Sequence, residues 1–275
     1  MSSHNASLRQ TVLALLEGAQ AAARAFGEAH TEEVRDEKAT DISTRADREL
    51  SLFFAEAVAR VLPSAQLWSE ESGAPRNPRA TLTVLVDEID GTDNFFRGRD
   101  LLPWCSVLTI FRGTSPRFGD ALAAGIVDHL SGLFWTAEAG GGSYERGAGQ
   151  AERRLAVSAK GRLDRRSLVI VDHYSAGAKV ARLTELNARA WVKDFGSSAF
   201  HGALLASGRV DAYVNLSHKA HELGAVLLLT RESGGSLYLV GGSPLEEEGV
   251  DMDATWPIVA AQSESLAEAI VELIG

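Results

Sequence analysis

The 275 residues carry 45% hydrophobic side chains, enough to bury a full core and ordinary for a globular protein. A formal charge of -10, from 37 acidic against 27 basic residues, argues against nucleic acid and anionic membranes as partners. No apolar run approaches the roughly 18 residues of a membrane span, residues 1–8 lack the basic-then-apolar order of a signal peptide, and the single Cys105 excludes an internal disulfide, so a cytoplasmic protein is expected.

In chain order, Leu8, Val12, Leu15, Leu16, Ala19, Ala22, Ala23 and Phe26 recur at helical spacing. A second such run goes from Ala46 to Leu62, through Leu50, Phe53, Phe54, Ala57, Val58 and Val61. Two amphipathic helices are therefore predicted to open the chain. Residues 31–44 between them are polar and charged, which predicts a mobile loop or hairpin of the kind that closes over sites. A short strand is expected at Gln66 to Trp68. Apolar runs at Leu82 to Val86, Ser106 to Phe111, Ala123 to Val127 and Leu133 to Thr136 then read as strands of one sheet, with Cys105 as a small core residue beside them. Gly140-Gly141-Gly142 lacks the lysine and the strand-to-helix context of a phosphate-binding loop and reads as a turn.

From Leu168 the pattern alternates. Strands are predicted at Leu168 to Val171, near Trp191, and at Val210 to Val214, Leu237 to Val240 and Ile258 to Ala261. Helices are predicted near Ala178 to Ala188, at Ser198 to Ala206, from about His221 to Gly234-Gly235, and at the end of the chain. That alternation indicates a layered α/β architecture. A soft boundary near residue 155 separates an α+β half, 1–155, from an α/β half, 156–275, within one compact unit.

The chemistry concentrates at Val84-Leu85-Val86-Asp87-Glu88-Ile89-Asp90-Gly91-Thr92, where an apolar strand runs into clustered carboxylates, a glycine and a hydroxyl. Like charges so close raise each other's pKa, and a divalent cation relieves the repulsion. Hard oxygen donors are what magnesium selects. Upstream, Glu70-Glu71 adds a second acidic pair which, taken alone, reads as a solvated surface pair.

Glu70-Glu71 followed by Asp87-x-Ile89-Asp90-Gly91-Thr92, with Asp41-x-x-Thr44-x-x-Asp47 before and Gly196-Ser197-Ser198-Ala199 after, resembles the inositol monophosphatase family. Gly208-Arg209-Val210-Asp211-Ala212-Tyr213 and Glu232-Ser233-Gly234-Gly235 follow in family order, so the resemblance spans nearly the whole chain. It implies a five-layer α-β-α-β-α sandwich, a homodimer, and a magnesium-dependent, lithium-sensitive phosphomonoesterase with two or three ions. By the resemblance, Glu70, Asp87 and the Ile89 carbonyl hold the first ion. Asp87, Asp90 and a later carboxylate, Glu222, hold the second, while Glu70 and water near Asp47 hold a weaker third. Glu70, Thr92 and Asp47 form the catalytic set, with the Thr92 hydroxyl orienting the attacking water. Contacts to a small phosphorylated substrate are expected from Asp90, Gly91, Thr92, Ser175, Asn215 and Glu222. Metal-activated water would attack phosphorus directly, without a phosphoenzyme.

The sequence makes three departures from the family pattern. Glu88 stands in place of a proline, and its side chain is expected to face away from the metals. His221-Glu222 replaces Trp-Asp, and Glu222 is either a ligand or a first-turn residue favoured by the helix dipole. Asn215 stands where inositol-specific members carry a glutamate, and with His218 and His221 nearby it widens the substrate range to polyol, sugar or amino-alcohol phosphates. Histidinol-phosphate, fructose-bisphosphate or nucleotide 3'-phosphate hydrolysis, or a catalytically silent regulatory relative, are the alternatives.

Overall fold

The protein is described by a computed structural model covering residues 7–31, 43–158, 160–172, 180–241 and 244–274. Helix α1 (Leu8–Ala23) starts at Ser7, whose hydroxyl accepts from the Gln10 N–H. Helix α2 (Arg45–Val61) starts at Thr44, which forms a capping box with Asp47. Their apolar stripes, including Val12, Leu16, Leu50 and Phe54, bury against Val84, Val86, Leu108, Ile110 and Val127 of the first sheet.

That sheet runs in chain order through β1 (Ala65–Ser69), β2 (Leu82–Asp90), β3 (Cys105–Arg112), β4 (Ala121–Asp128), β5 (Leu133–Glu138), β6 (Gly142–Arg146) and β7 (Arg153–Arg154). Only the β1–β2 pair is parallel. Strand β2 is buried on both faces, which is why it reads as an apolar run rather than an alternation. A short helix, α3 (Thr92–Gly98), follows it.

The second sheet has the order β11 (Ser236–Leu239), β12 (Thr255–Ala261), β10 (Ala212–Lys219), β8 (Leu168–Asp172), β9 (Trp191–Lys193). Between the sheets lie α5 (Ser198–Ala206) and α6 (Ala220–Glu232), packed with Leu85, Val107 and Trp135 from one side and Ile170, Tyr213 and Ile258 from the other. Being covered on both sides, α6 is buried all round from Ala220 to Thr230. The outer face of the second sheet is closed by α4 (Val180–Arg189) and α7 (Glu264–Ile274) through Leu183, Leu186, Leu266 and Ile270. Seven helices and two sheets thus stack as α-β-α-β-α among the described residues, as the resemblance implies. None of the helices is long and apolar enough to cross a membrane.

Most predicted elements recur with shifted ends. Strand β10 extends past Val214 to Lys219, because its polar end Asn215–Lys219 gives no apolar signal. Of the polar stretch 31–44, residues 32–42 lie outside the described residues, as does Ser175. The triple glycine is a turn, with φ 73° at Gly140 and 92° at Gly142. Its amides are taken by the protein itself: Gly140 and Gly142 N–H donate to the Glu232 carboxylate at 2.9 and 3.0 Å. Cys105 is fully buried, and burial pushes its thiol up.

Candidate metal centre and active site

The site begins with an irregularity in β2. Along a regular strand, residues three apart point to opposite faces. Here the register against β3 shifts between Asp87, opposite Val107, and Asp90, opposite Cys105, so three steps on β2 match two on β3. The bulge turns both aspartates to one side. Glu222, in the first turn of α6, meets them there. Asp87, Asp90 and Glu222 are all buried, and each offers a carboxylate oxygen within 4.8 Å of the other two.

Burial, and then the charges of Glu70, Glu222 and Asp90, push the Asp87 carboxyl well above its ordinary range. Glu222 is raised by burial first and by Asp90 and Glu70 next, with the Lys219 ammonium opposing. Asp90 is raised to about 6 by burial, held back by the Ser197 hydroxyl. Asp87 Oδ1 and Glu222 Oε2 are buried without a hydrogen-bond partner. Buried polar atoms in that state are costly unless something satisfies them.

Asp90 has a second task. Its Oδ1 accepts from the Ser198 N–H at 3.1 Å, and its Oδ2 from the Ala199 N–H at 2.9 Å and from the Ser197 hydroxyl, so it closes the start of α5. Gly91, at φ 85°, permits this approach: a Cβ there would lie 3.1 Å from both the Gly196 carbonyl oxygen and the Ser197 Cβ. The Thr92 hydroxyl donates to the Ile89 carbonyl at 2.8 Å, which leaves that oxygen a second lone pair.

Around this cluster, Glu70 extends the pairing of β1, its N–H donating to the Val86 carbonyl at 3.3 Å. Its carboxylate stands at the rim with Oε1 3.2 Å from Lys219 Nζ. Asp47 is buried and raised to about 7, chiefly by burial. Its Oδ2 accepts from Thr44 N–H and Oγ1 at 2.7 and 2.6 Å. Asn215 is buried; its amide donates to Asp172 and to the Tyr213 hydroxyl, both at 3.1 Å, and its Oδ1 accepts from the Ser217 N–H. His218 is buried with Nδ1 3.0 Å from the Lys219 carbonyl and 3.7 Å from Glu222 Oε2, and burial lowers it to about 4. Glu88 lies on the α2 side, beside Ser51 and Ser69, and burial raises it to about 7.

The sequence model of the inositol monophosphatase family matches residues 6–275. The chain belongs to the inositol monophosphatase family. Its relatives include inositol-1-monophosphatases of Mesorhizobium japonicum, 30% identical over 89% of this chain and 90% of that one, and of Rhizobium meliloti, 27% identical over 98% and 96%. A histidinol-phosphatase of Mycobacterium tuberculosis is 27% identical over 72% and 74%. Among solved structures, the extragenic suppressor protein suhB of Bartonella henselae shares the fold with a TM-score of 0.80 at 20% identity, covering 97% of this chain and 98% of that one. An IMPase/NADP phosphatase complexed with Mg2+ and phosphate superposes at 0.75 and 15% identity, covering 97% and 94%.

As a member of this family the chain is a phosphatase, a hydrolase of phosphoric monoesters. The family is metal-dependent, and the buried acidic cluster of this member has the donor chemistry for it. Of the family-pattern carboxylates, Asp87, Asp90 and Glu222 come together, Glu70 stands at the rim, and Asp47 spends one oxygen on its helix cap. Sequence reasoning gave no role to Lys219, to Asp172, which accepts from the Ser198 hydroxyl at 2.7 Å, or to the Ser197 to Ala199 donors that hold Asp90. Ser197 to Ala199 were legible only as part of the family motif Gly196-Ser197-Ser198-Ala199, and Lys219 only as a basic residue three positions before Glu222.

Proposed function

We propose that the chain is a magnesium-dependent phosphomonoesterase that hydrolyses inositol monophosphate or a related small polyol or sugar phosphate. The observation that carries this reading is the buried set of oxygens from Asp87, Asp90 and Glu222, with Asp87 Oδ1 and Glu222 Oε2 lacking a hydrogen-bond partner. An all-oxygen, anionic donor set suits magnesium better than any soft transition metal. Glu70, Asp87 and the Ile89 carbonyl would hold one ion and Asp87, Asp90 and Glu222 a second, with Glu70 and water near Asp47 available to a weaker third. Bound magnesium supplies Lewis acidity and a water of lowered pKa. The Thr92 hydroxyl, fixed beside the Ile89 carbonyl, orients that water, and the Gly91 and Thr92 amides receive phosphate oxygens. Asn215 is neutral where inositol-specific members carry a glutamate, which supports a substrate range wider than inositol. A homodimer in the cytoplasm belongs to the same reading. The exposed Phe96, Leu101 and Leu102 lie on a segment joined to the exposed Phe195 through Asn94, which bonds the Pro103 and Phe195 carbonyls, and this supports an apolar face for a second copy.

The test is phosphate release from a panel of inositol 1-phosphate, histidinol phosphate, fructose 1,6-bisphosphate and a nucleoside 3'-phosphate, with magnesium or with EDTA. Release from a small monophosphate, abolished by EDTA and inhibited by lithium, is the expected result. Turnover confined to one of the other three would reassign the substrate, and ion binding without any turnover would favour a silent regulatory protein.

A further inference from the structure

Among the described residues, the chain sets a cation of its own, the Lys219 ammonium, beside the carboxylates of this centre. Lys219 is the last residue of β10 and the N-cap of α6, three positions before Glu222. Its backbone is fixed on two sides: it is paired with Thr255 of β12, and its carbonyl contacts the His218 ring at 3.0 Å. Its side-chain stem reaches over to place Nζ 3.2 Å from Glu70 Oε1. Both side chains are about one-third exposed, at 36% and 32%, which sets the pair at the mouth of the centre rather than in its floor. Glu70 is correspondingly absent from the group of oxygens that Asp87, Asp90 and Glu222 bring within 4.8 Å of one another.

We propose that Lys219 is a tethered counter-cation of the metal centre: its ammonium occupies Glu70 and so limits how many magnesium ions bind and how tightly. This rests on the reading of the carboxylates as magnesium ligands. Its logic is electrostatic. An ammonium supplied by the fold neutralises Glu70 without the desolvation that magnesium resists, and it repels a divalent ion approaching the same carboxylate. A dissociable ion at the rim is thereby replaced by a permanent one, while the floor of the site stays open to ions. Lys219 is a positioning residue for Glu70 and does not touch the reacting atoms in this account.

The test is calorimetric titration of the full chain with magnesium chloride, together with melting curves with and without the ion. Lys219→Met frees Glu70, and magnesium should then bind at least about tenfold more tightly or with one further ion, given the strength of charge pairs at such distances. The same variant should melt lower without metal and recover when magnesium is added. Lys219→Arg keeps the charge and should titrate like wild type, and Lys219→Gln provides a second neutral variant if the methionine protein folds poorly. Unchanged magnesium affinity and stoichiometry in both neutral variants would overturn the proposal while leaving the metal centre intact. Weakened binding of inorganic phosphate with an unaltered magnesium titration would overturn it too, by making Lys219 a substrate contact. No magnesium binding in wild type would remove this proposal and the metal reading together.

Discussion

Asp90 joins two jobs in one side chain. It contributes to the buried carboxylate cluster, and it accepts the hydrogen bonds that start α5. In Asp90→Asn the amide nitrogen must face donors that need an acceptor, so one hydrogen bond becomes a clash of N–H groups. Turnover should fall below a tenth of wild type, a barrier increase of at least about 1.4 kcal/mol. Stability should also fall, by about 1–2 kcal/mol, as for a lost helix cap. Phosphate-release rates and urea midpoints check the two effects separately. An effect on activity alone would mean that α5 keeps its start without Asp90. The catalytic importance of this aspartate is readable from its motif. Its structural task is not, because Ser197 to Ala199 lie more than a hundred residues further along the chain.

At the scale of elements, the site is made where the end of β2, the start of α5 and the start of α6 meet. Gly91 is the hinge of that meeting. Its left-handed φ of 85° strains any side chain, and an added Cβ would press to 3.1 Å from the Gly196 oxygen, which must then give way by a few tenths of an ångström. Gly91→Ala is expected to lose about 1–2 kcal/mol from backbone conformation alone, to add a steric displacement of α5, and to slow turnover more than it lowers the melting temperature. The comparison to make is with Gly73→Ala, where φ is 72° but nothing lies within 4 Å of the added carbon. Equal losses at the two positions would show that backbone strain, not crowding at the site, is responsible. The helices were legible from apolar spacing, since α1 and α2 each bury one stripe. Helix α6, predicted from about His221 to Gly234-Gly235, runs Ala220–Glu232, but its burial between the sheets was not legible, nor was the bulge in β2. Burial all round erases periodicity, and a bulge is a matter of register between two strands rather than of either sequence.

For the whole molecule, the balance of buried titratable groups sets a pH dependence. Asp47 and Glu88 at about 7 and Asp90 at about 6 hold protons more tightly folded than unfolded. For a raised carboxyl, stability is greatest below the unfolded pKa and is lost as pH rises through the folded one. His129, His201 and His218 are lowered to about 3, 4 and 4 by burial, and they act in the opposite sense, gaining stability as pH rises to about 6.5. The two sets oppose each other between about pH 4 and 6.5. Above that range the histidines are neutral in both states, so the carboxylates decide. The metal-free chain should therefore melt lower at pH 8 than at pH 6.5. Saturating magnesium should remove most of that difference, adding about 2.7 kcal/mol at a hundredfold excess over its dissociation constant. Melting that rises from pH 6.5 to 8 without metal would contradict the ionic state given to the cluster. The five-layer stack was legible only through the family resemblance. Alternating elements indicate layers, but they do not say which helices lie between the sheets.

From β2 to β7 the first sheet follows the chain as an antiparallel meander, whereas the second, ordered β11-β12-β10-β8-β9, brings distant segments side by side. During synthesis the two halves therefore face different tasks: neighbours can pair early in the first, but the second must wait for β12 before its central strand has both partners. Asp87 and Asp90 emerge with the meander, and Glu222 arrives some 130 residues later on the helix that the two sheets enclose. A nascent chain that has finished its first sheet consequently carries an incomplete carboxylate set. Ion capture thus becomes a property of the completed protein, acquired only when its middle layer has closed.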